Sequence, residues 1–257
     1  MVIDVVVISC EKDTLKTSGI PPSSPSIVNA SFLEEFDTVA NLPARGWVFH
    51  NNSNPPGSTG WRQGRYEPNS VAQVKFLAPV AFVGFPAYSA HSTPNDFISC
   101  DVSAASDQST LTANYSAWLI SPNLPLKDGD QLSFYTRAID DSNYPIYTKD
   151  RVQVLANYTD SSADVGNSET SVGNFTTLLV DINPNYIYND SSANGMPGYP
   201  RDWTKVTITL SGVPNGAVPG GRFAFRYLAS DAGLFGGSTT DNYPSVVGID
   251  QLSFSSH

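Results

Sequence analysis

Catalytic side chains are scarce in this 257-residue chain, which holds three histidines, two cysteines and five glutamates. The histidines are His50, His91 and His257, and no Gly-x-Ser-x-Gly or His-Glu-x-x-His accompanies them. A serine hydrolase needs a base beside its nucleophile, and a zinc peptidase needs two imidazoles on one helical face; the sequence supplies neither pattern. The glutamates fall at 11, 34, 35, 67 and 169, and none belongs to a Glu-x-Asp-x-x-Glu strand. Glycosidases work through two carboxylates at a set separation, so only Asp pairs are left to serve. The expectation is a protein that is not an enzyme, with a carbohydrate-active enzyme as the alternative.

Charge is sparse as well. Charged residues are 15% of the chain, 14 basic against 24 acidic, for a net charge of −10. Nucleic acids and anionic membrane surfaces are held by clustered Lys and Arg, so neither is an expected partner, whereas an acidic surface suits cations. No apolar run reaches about 18 residues, which leaves no transmembrane helix to predict. Two cysteines give no disulfide framework, and Cys100, inside Phe97-Ile98-Ser99-Cys100-Asp101-Val102, reads as a buried strand thiol. Helix-period apolar patterns are rare, and no repeat of about 20 to 50 residues is visible.

What is abundant is turn chemistry and alternation. Glycine and proline number 19 each. Clusters such as Lys127-Asp128-Gly129-Asp130, Val213-Pro214-Asn215-Gly216 and Val218-Pro219-Gly220-Gly221 separate segments of period two. Leu132, Phe134 and Thr136 alternate with Gln131, Ser133 and Tyr135. Val206, Ile208 and Leu210 alternate with Thr207 and Thr209, and Phe223, Phe225 and Tyr227 with Arg222, Ala224 and Arg226. The prediction is an all-β protein of about eleven antiparallel strands. Two long irregular stretches, Tyr158 to Gly173 and Asn183 to Asp202, stand apart as loops of the kind that carry function.

Near the start, Val7-Ile8-Ser9-Cys10 precedes Glu11-Lys12-Asp13 and then the proline-rich Ile20-Pro21-Pro22-Ser23-Ser24-Pro25. A short apolar run, a small residue and a cysteine form the cleavage and acylation site of bacterial lipoproteins. The expected organisation is a signal remnant over 1–9, a lipid-anchor linker over 10–28 with the lipid on Cys10, and one domain over 29–257. The alternative for Val5 to Ile8 is a β-strand. The membrane is then reached only through the lipid, and the location is the bacterial cell envelope, at the outer membrane or cell surface.

A series of motifs follows in order: Phe36-Asp37, Leu42-Pro43-Ala44-Arg45-Gly46-Trp47, Asn51 to Gly64 with Pro55-Pro56-Gly57 and Gly60-Trp61, Ala117-Trp118-Leu119-Ile120-Ser121-Pro122, Leu132 to Arg137, Asp150-Arg151-Val152-Gln153-Val154, Phe223 to Tyr227 and Gly248-Ile249-Asp250. Over about residues 31 to 256 this series resembles the choice-of-anchor J domain, a surface module similar to cleaved-adhesin domains and more distantly to MAM domains. The stretch from Glu67 to Ala81 departs from the pattern, with Ser70 to Phe76 as extra sequence. The resemblance implies a jelly-roll β-sandwich displayed outside the cell, and a structural calcium where the first and last strands finish together.

On that resemblance Asp37, Asp250 and Glu35 are the expected metal ligands. Alternation sets Asp250 on the face of Leu252 and Phe254, where an unpaired carboxylate is costly and calls for a counter-charge. Calcium suits oxygen ligands better than zinc does. The same alternation favours Glu34, on the face of Phe32 and Phe36, over its neighbours. An ion pair with Arg137, Arg151 or Arg226 is the alternative to a metal. Asp128-Gly129-Asp130 reads as a hairpin turn, Asp140-Asp141 with Asn143 as a solvated loop, and Trp47, Trp61 and Trp118 as core. Tyr186, Tyr188, Tyr199 and Arg201 are candidates to stack on a sugar ring and bond its hydroxyls, against the alternative of a loop packed on itself. The expected function is a non-catalytic surface module that binds a glycan or a surface protein. A purely structural or adhesive component is the alternative.

Overall fold

Period-two patterning resolves into twelve strands across residues 30–66, 84–105, 112–139, 149–188, 198–232 and 244–256, which are those described by a computed structural model of the protein. Cys10 and the expected linker, the extra sequence between Glu67 and Ala81, and Asp140-Asp141-Asn143 lie outside the described residues. The strands are β1 (Phe32–Glu34), β2 (Val48–Asn51), β3 (Arg62–Gln63), β4 (Ile98–Asp101), β5 (Ala113–Ile120), β6 (Leu124–Lys127), β7 (Gln131–Ala138), β8 (Val152–Asn157), β9 (Thr177–Ile182), β10 (Thr204–Thr209), β11 (Ala217–Ala232) and β12 (Val246–Ser255).

One sheet runs β10-β7-β12-β4-β3, with β1 beside β12; the other runs β2-β5-β11-β8-β9, with β6 beside β11. All the pairings are antiparallel. Eight of these strands, ordered 10-7-12-4 in one layer and 5-11-8-9 in the other, make the double Greek key of a jelly roll. The count exceeds the sequence expectation because β3 is only two residues long, too short to leave a pattern.

The two sheets meet through aromatic rings placed by alternation. Phe134 of β7 meets Phe225 of β11 edge to face at 4.9 Å between ring centres. Phe223, two residues before Phe225, lies 6.1 Å from Phe254 of β12 and 6.1 Å from Trp47. Trp47, Trp61 and Trp118 are all buried, as the motifs implied. Asp128-Gly129-Asp130 is a tight turn but not the expected hairpin, because β6 pairs with β11 while β7 pairs with β10 and β12 in the other sheet: Gly129 takes φ +92°, and the Asp130 side chain accepts the Lys127 N–H at 2.8 Å. Cys100 is a free buried thiol, and burial pushes its pKa well up.

The outer faces of both sheets are also covered, which simple alternation does not foresee. The loop from Tyr158 to Thr176 lays Val165 and Phe175 over Trp118, Ile120, Leu155 and Ala224. Gly173, at φ +52°, makes that loop possible, since a Cβ there would sit 2.2 Å from the Asp164 carbonyl. Arg226 is buried on this outer face, not the inner one. Its guanidinium lies over Trp118 at 4.9 Å, its Nε donates to Ser116 Oγ at 2.9 Å, and Nη2 donates to the Glu169 carbonyl. Burial lowers its pKa to about 10. On the other sheet, Phe85, Phe97 and Trp203 pack over Gly248, where a Cβ would come within 2.6 Å of Phe85. That close approach seats the 84–97 segment on the sheet and sets up the site.

Candidate functional site

Where the first and last strands meet, β1 pairs with β12 through Phe32 opposite Phe254, Leu33 opposite Ser253 and Glu34 opposite Leu252. Both strands lose their phase at this corner. Phe36 takes φ +56° just after β1, and Gln251 takes φ +44° inside β12, where the register with β7 slips between Asp250 and Ser253. A bulge of this kind inserts one extra residue and turns the following side chains over.

Asp250 therefore lies opposite Tyr135 on the outer face, while Leu252 and Phe254 point into the core. The expectation that Asp250 shares their apolar face is corrected by this bulge. Asp250 is nonetheless fully buried, because the 84–97 segment covers it. Its carboxylate accepts N–H bonds from Ser89 at 3.0 Å and from Gln251 at 2.7 Å. Burial raises its pKa to about 6 despite the Ser89, Gln251 and Tyr88 amides, and the nearby Asp37 carboxylate adds to the rise. Among the described residues the counter-charge does not come from an arginine. Arg137 faces Asp202, Arg151 holds Asp181 at 2.6 Å, and Arg226 is on the far sheet.

Glu34, which alternation favoured, is taken by a different partner. It accepts a forked pair of bonds from Arg45 at 2.8 Å and 3.1 Å, together with the Phe36 N–H. Glu35, on the opposite face of the strand from Glu34, and Asp37, just past the positive φ at Phe36, both reach His91. The imidazole Nδ1 lies 3.0 Å from Asp37 Oδ1, and Nε2 lies 3.4 Å from Glu35 Oε1. The bond to Asp37 raises the His91 pKa, and the charges of Asp37 and Glu35 raise it further. Ligand atoms of Glu35, Asp37 and His91 all fall within 4.8 Å of one another, the spacing that one metal ion requires.

Two residues outside the sequence expectations build this corner. Asp96 accepts N–H bonds from His91 at 3.0 Å and Thr93 at 2.8 Å, plus the Thr93 hydroxyl at 2.7 Å, and so folds the turn that presents His91. Burial pushes the Asp96 carboxyl up, but the Thr93, Ser92 and His91 donors outweigh it and leave the pKa lowered. Gln63 clamps the two halves together. Its Nε2 donates to the carbonyls of Phe36 at 3.0 Å and Asn95 at 2.7 Å, and its Oε1 accepts the Val39 N–H at 2.9 Å. Ser92-Thr93-Pro94-Asn95-Asp96 is a cluster of turn-forming residues, so Asp96 was within reach of sequence reasoning; Gln63 was not.

Chemically the corner holds the carboxylates of Glu35, Asp37 and Asp250 and the imidazole of His91, beside Glu34 and Asp96, which have donors of their own. Among the described residues no arginine or lysine pairs with Asp37 or Asp250. Glu35 and Asp37 offer the hard oxygen atoms that calcium takes, and His91, when protonated, occupies the same charge position. A cavity of about 650 Å³ opens beside them, with Phe32, Leu33, Arg45 and Leu124 among its lining residues.

The loop residues chosen for sugar contact sit elsewhere, at the end of the sandwich where β9 leaves and β10 begins. Tyr199 is a correction: it is 3% exposed, within the core, and its hydroxyl shares a 2.6 Å hydrogen bond with Thr136. Tyr186 packs against the core with the Arg151 guanidinium 5.2 Å over its ring. Tyr188 has the Arg201 guanidinium 4.3 Å over its own. Asn183, at φ +63°, fixes this loop by donating to the Asp150 and Ile187 carbonyls at 2.9 Å and 3.0 Å. Within the described part of the loop Asn183 is bonded to Ile187, and the Tyr186 and Tyr188 rings already carry arginine partners.

No family model matches the chain, and no curated protein matches it in sequence. Solved structures are similar to it at low identity. The K1 cleaved adhesin domain of Lys-gingipain from Porphyromonas gingivalis W83 has 16% identity and a TM-score of 0.48, over 88% of this chain and 98% of that domain. The K3 domain of the same protein has 17% identity and a TM-score of 0.48, over 88% of this chain and all of that domain. TmCBM61, solved in complex with β-1,4-galactotriose, has 12% identity and a TM-score of 0.36, over 87% and 92% of the two chains.

Proposed function

We propose that this chain is a non-catalytic bacterial cell-surface module that binds a glycan or a surface protein, lipid-anchored through Cys10 and stiffened by calcium. The observation that carries the reading is the acidic corner between β1 and β12, where Asp250 is buried with no arginine or lysine partner among the described residues and Asp37, close to it, converges with Glu35 and His91. Carboxylates gathered at a strand junction raise the energy of the folded state unless a cation joins them. Calcium held by Asp37 and Glu35, with Asp250 behind them, neutralises the corner and ties the first strand to the last.

The test is a glycan array run with and without a chelator, together with capture of intact cells by the soluble chain. The expected result is retention of one glycan class or one cell type, weakened when calcium is removed. A chain that captures neither sugar nor cell under either condition contradicts the reading. Turnover of a polysaccharide by the chain replaces it with the enzymatic one.

A further inference from the structure

We propose that the outer face of the β10-β7-β12 sheet binds a neutral pyranose unit, stacked on the Tyr88–Tyr135 pair beside a row of strand hydroxyls. This rests on the binding-module reading and names where the sugar goes and of what class it is.

Strand register builds the surface. Thr207 of β10 lies opposite Ser133 of β7, and Ser133 lies opposite Ser253 of β12, so three hydroxyl residues cross the sheet in one row. One step along the same face, Lys205 lies opposite Tyr135, and Tyr135 opposite Asp250. All of these point outward, because Leu132, Phe134 and Thr136 between them are buried inward. Thr207 and Lys205 are exposed, and Ser133, Tyr135 and Ser253 are half-buried.

Tyr88, from the 84–97 segment, stacks on Tyr135 with ring centres 3.7 Å apart and planes 15° from parallel. It is 44% exposed, the one aromatic among the exposed large apolar side chains of the described residues. Trp203 stands 6.4 Å away, across the stack at 67°.

The ligand class follows from what the surface offers. A pyranose presents an apolar C–H face to an aromatic ring and a rim of hydroxyls that both donate and accept; serine and threonine hydroxyls answer both roles. A protein partner would seek a wider apolar patch around an anchor. Among the described residues only Leu33, opposite Ser253 at the end of the hydroxyl row, and Leu178, on the other sheet, join Tyr88 as exposed large apolar residues. Stacking on Tyr135 has already fixed the Tyr88 ring, so little rotamer freedom is left for a ligand to freeze out. The row offers hydroxyls rather than a cluster of cations, with Lys205 on one side of Tyr135 and the Asp250 carboxylate on the other, which suits a neutral sugar better than a uronic or sialic acid.

The test is an array of neutral and acidic glycans, followed by titration of the best ligand against the fluorescence of Trp203. The expected result is that the chain retains neutral glycans, and that Tyr88→Ala and Tyr135→Ala each weaken binding about tenfold or more. Thr207→Arg, a change at an exposed position that fills the hydroxyl row without touching the stack, should weaken it similarly. Tyr188→Ala should stay within about twofold of the parent. If the sheet-face variants bind like the parent, the sheet-face site is overturned while the module reading stands. If no glycan is retained, or only a protein is captured, the sugar assignment fails together with the glycan form of that reading.

Discussion

Replacing Phe223 with alanine is expected to cost about 3 to 5 kcal/mol of folding free energy, which corresponds to a fall of roughly 10 °C in melting temperature. Phe223 is almost wholly buried and is the ring at which both layers converge, with Trp47, Phe225 and Phe254 each 6.1 Å away. Truncation removes the transfer free energy of the ring. It also leaves a cavity that cannot collapse, since β11 is held on both sides by β5 and β8. Urea unfolding followed by tryptophan fluorescence measures the loss. A cost below about 1 kcal/mol would mean that the two sheets do not pack through this ring.

Stability of the metal-free chain should fall as pH rises from about 5 to 8, the reverse of the usual aspartate behaviour. Asp250 has its folded pKa raised from 3.8 to about 6, so the folded state holds a proton that the unfolded state has released. Its contribution is a penalty at neutral pH that is relieved as pH falls from about 6 towards 4. His91 acts in the same direction at somewhat higher pH. Its folded pKa is raised by Asp37 and Glu35, so its stabilising charge is present below the unfolded value of 6.5 and is lost as pH rises through the folded one. Asp250→Asn should remove most of the Asp250 part, a gain of about 2 kcal/mol at pH 7 after allowing for partial solvent screening. Thermal melts across the pH range in chelator measure this. A melting temperature that rises with pH, or an Asn variant that tracks the parent, would show that Asp250 is already compensated.

The jelly roll was legible because half-buried strands write their burial into every second residue. Leu132, Phe134 and Thr136 are inward as read, and so are Ile208, Leu210, Phe223, Phe225 and Tyr227. Legibility failed where a strand is covered on both faces or changes phase. Ala224 and Arg226 look outward-facing and solvent-exposed in a period-two reading, yet the 158–176 loop buries both. Asp250 was placed on the wrong face because a positive φ at Gln251 leaves no mark when the residue is not glycine.

The candidate site was half legible. Motif order pointed to Asp37 and Glu35, and alternation to Glu34; the turn at Phe36 separates the two arguments and gives Glu34 to Arg45. His91 is the missing member. It lies 54 residues from Asp37, and only the Asp96 turn and the Gln63 clamp bring the two together. Contacts at that range depend on how a loop crosses a sheet face, which neither period nor spacing encodes. The aromatic loop misled for the opposite reason: Tyr199 in an Asn-, Gly- and Pro-rich stretch has a surface composition but a core position.

Isothermal titration of calcium into the chain and into Asp37→Asn tests the central claim most directly. The acidic corner predicts one binding event in the parent, accompanied by proton release near pH 6 as His91 and Asp250 give up their protons, and its loss or severe weakening in the variant. No heat in the parent, or an identical isotherm in the variant, would show that the corner where the two end strands meet is not a cation site.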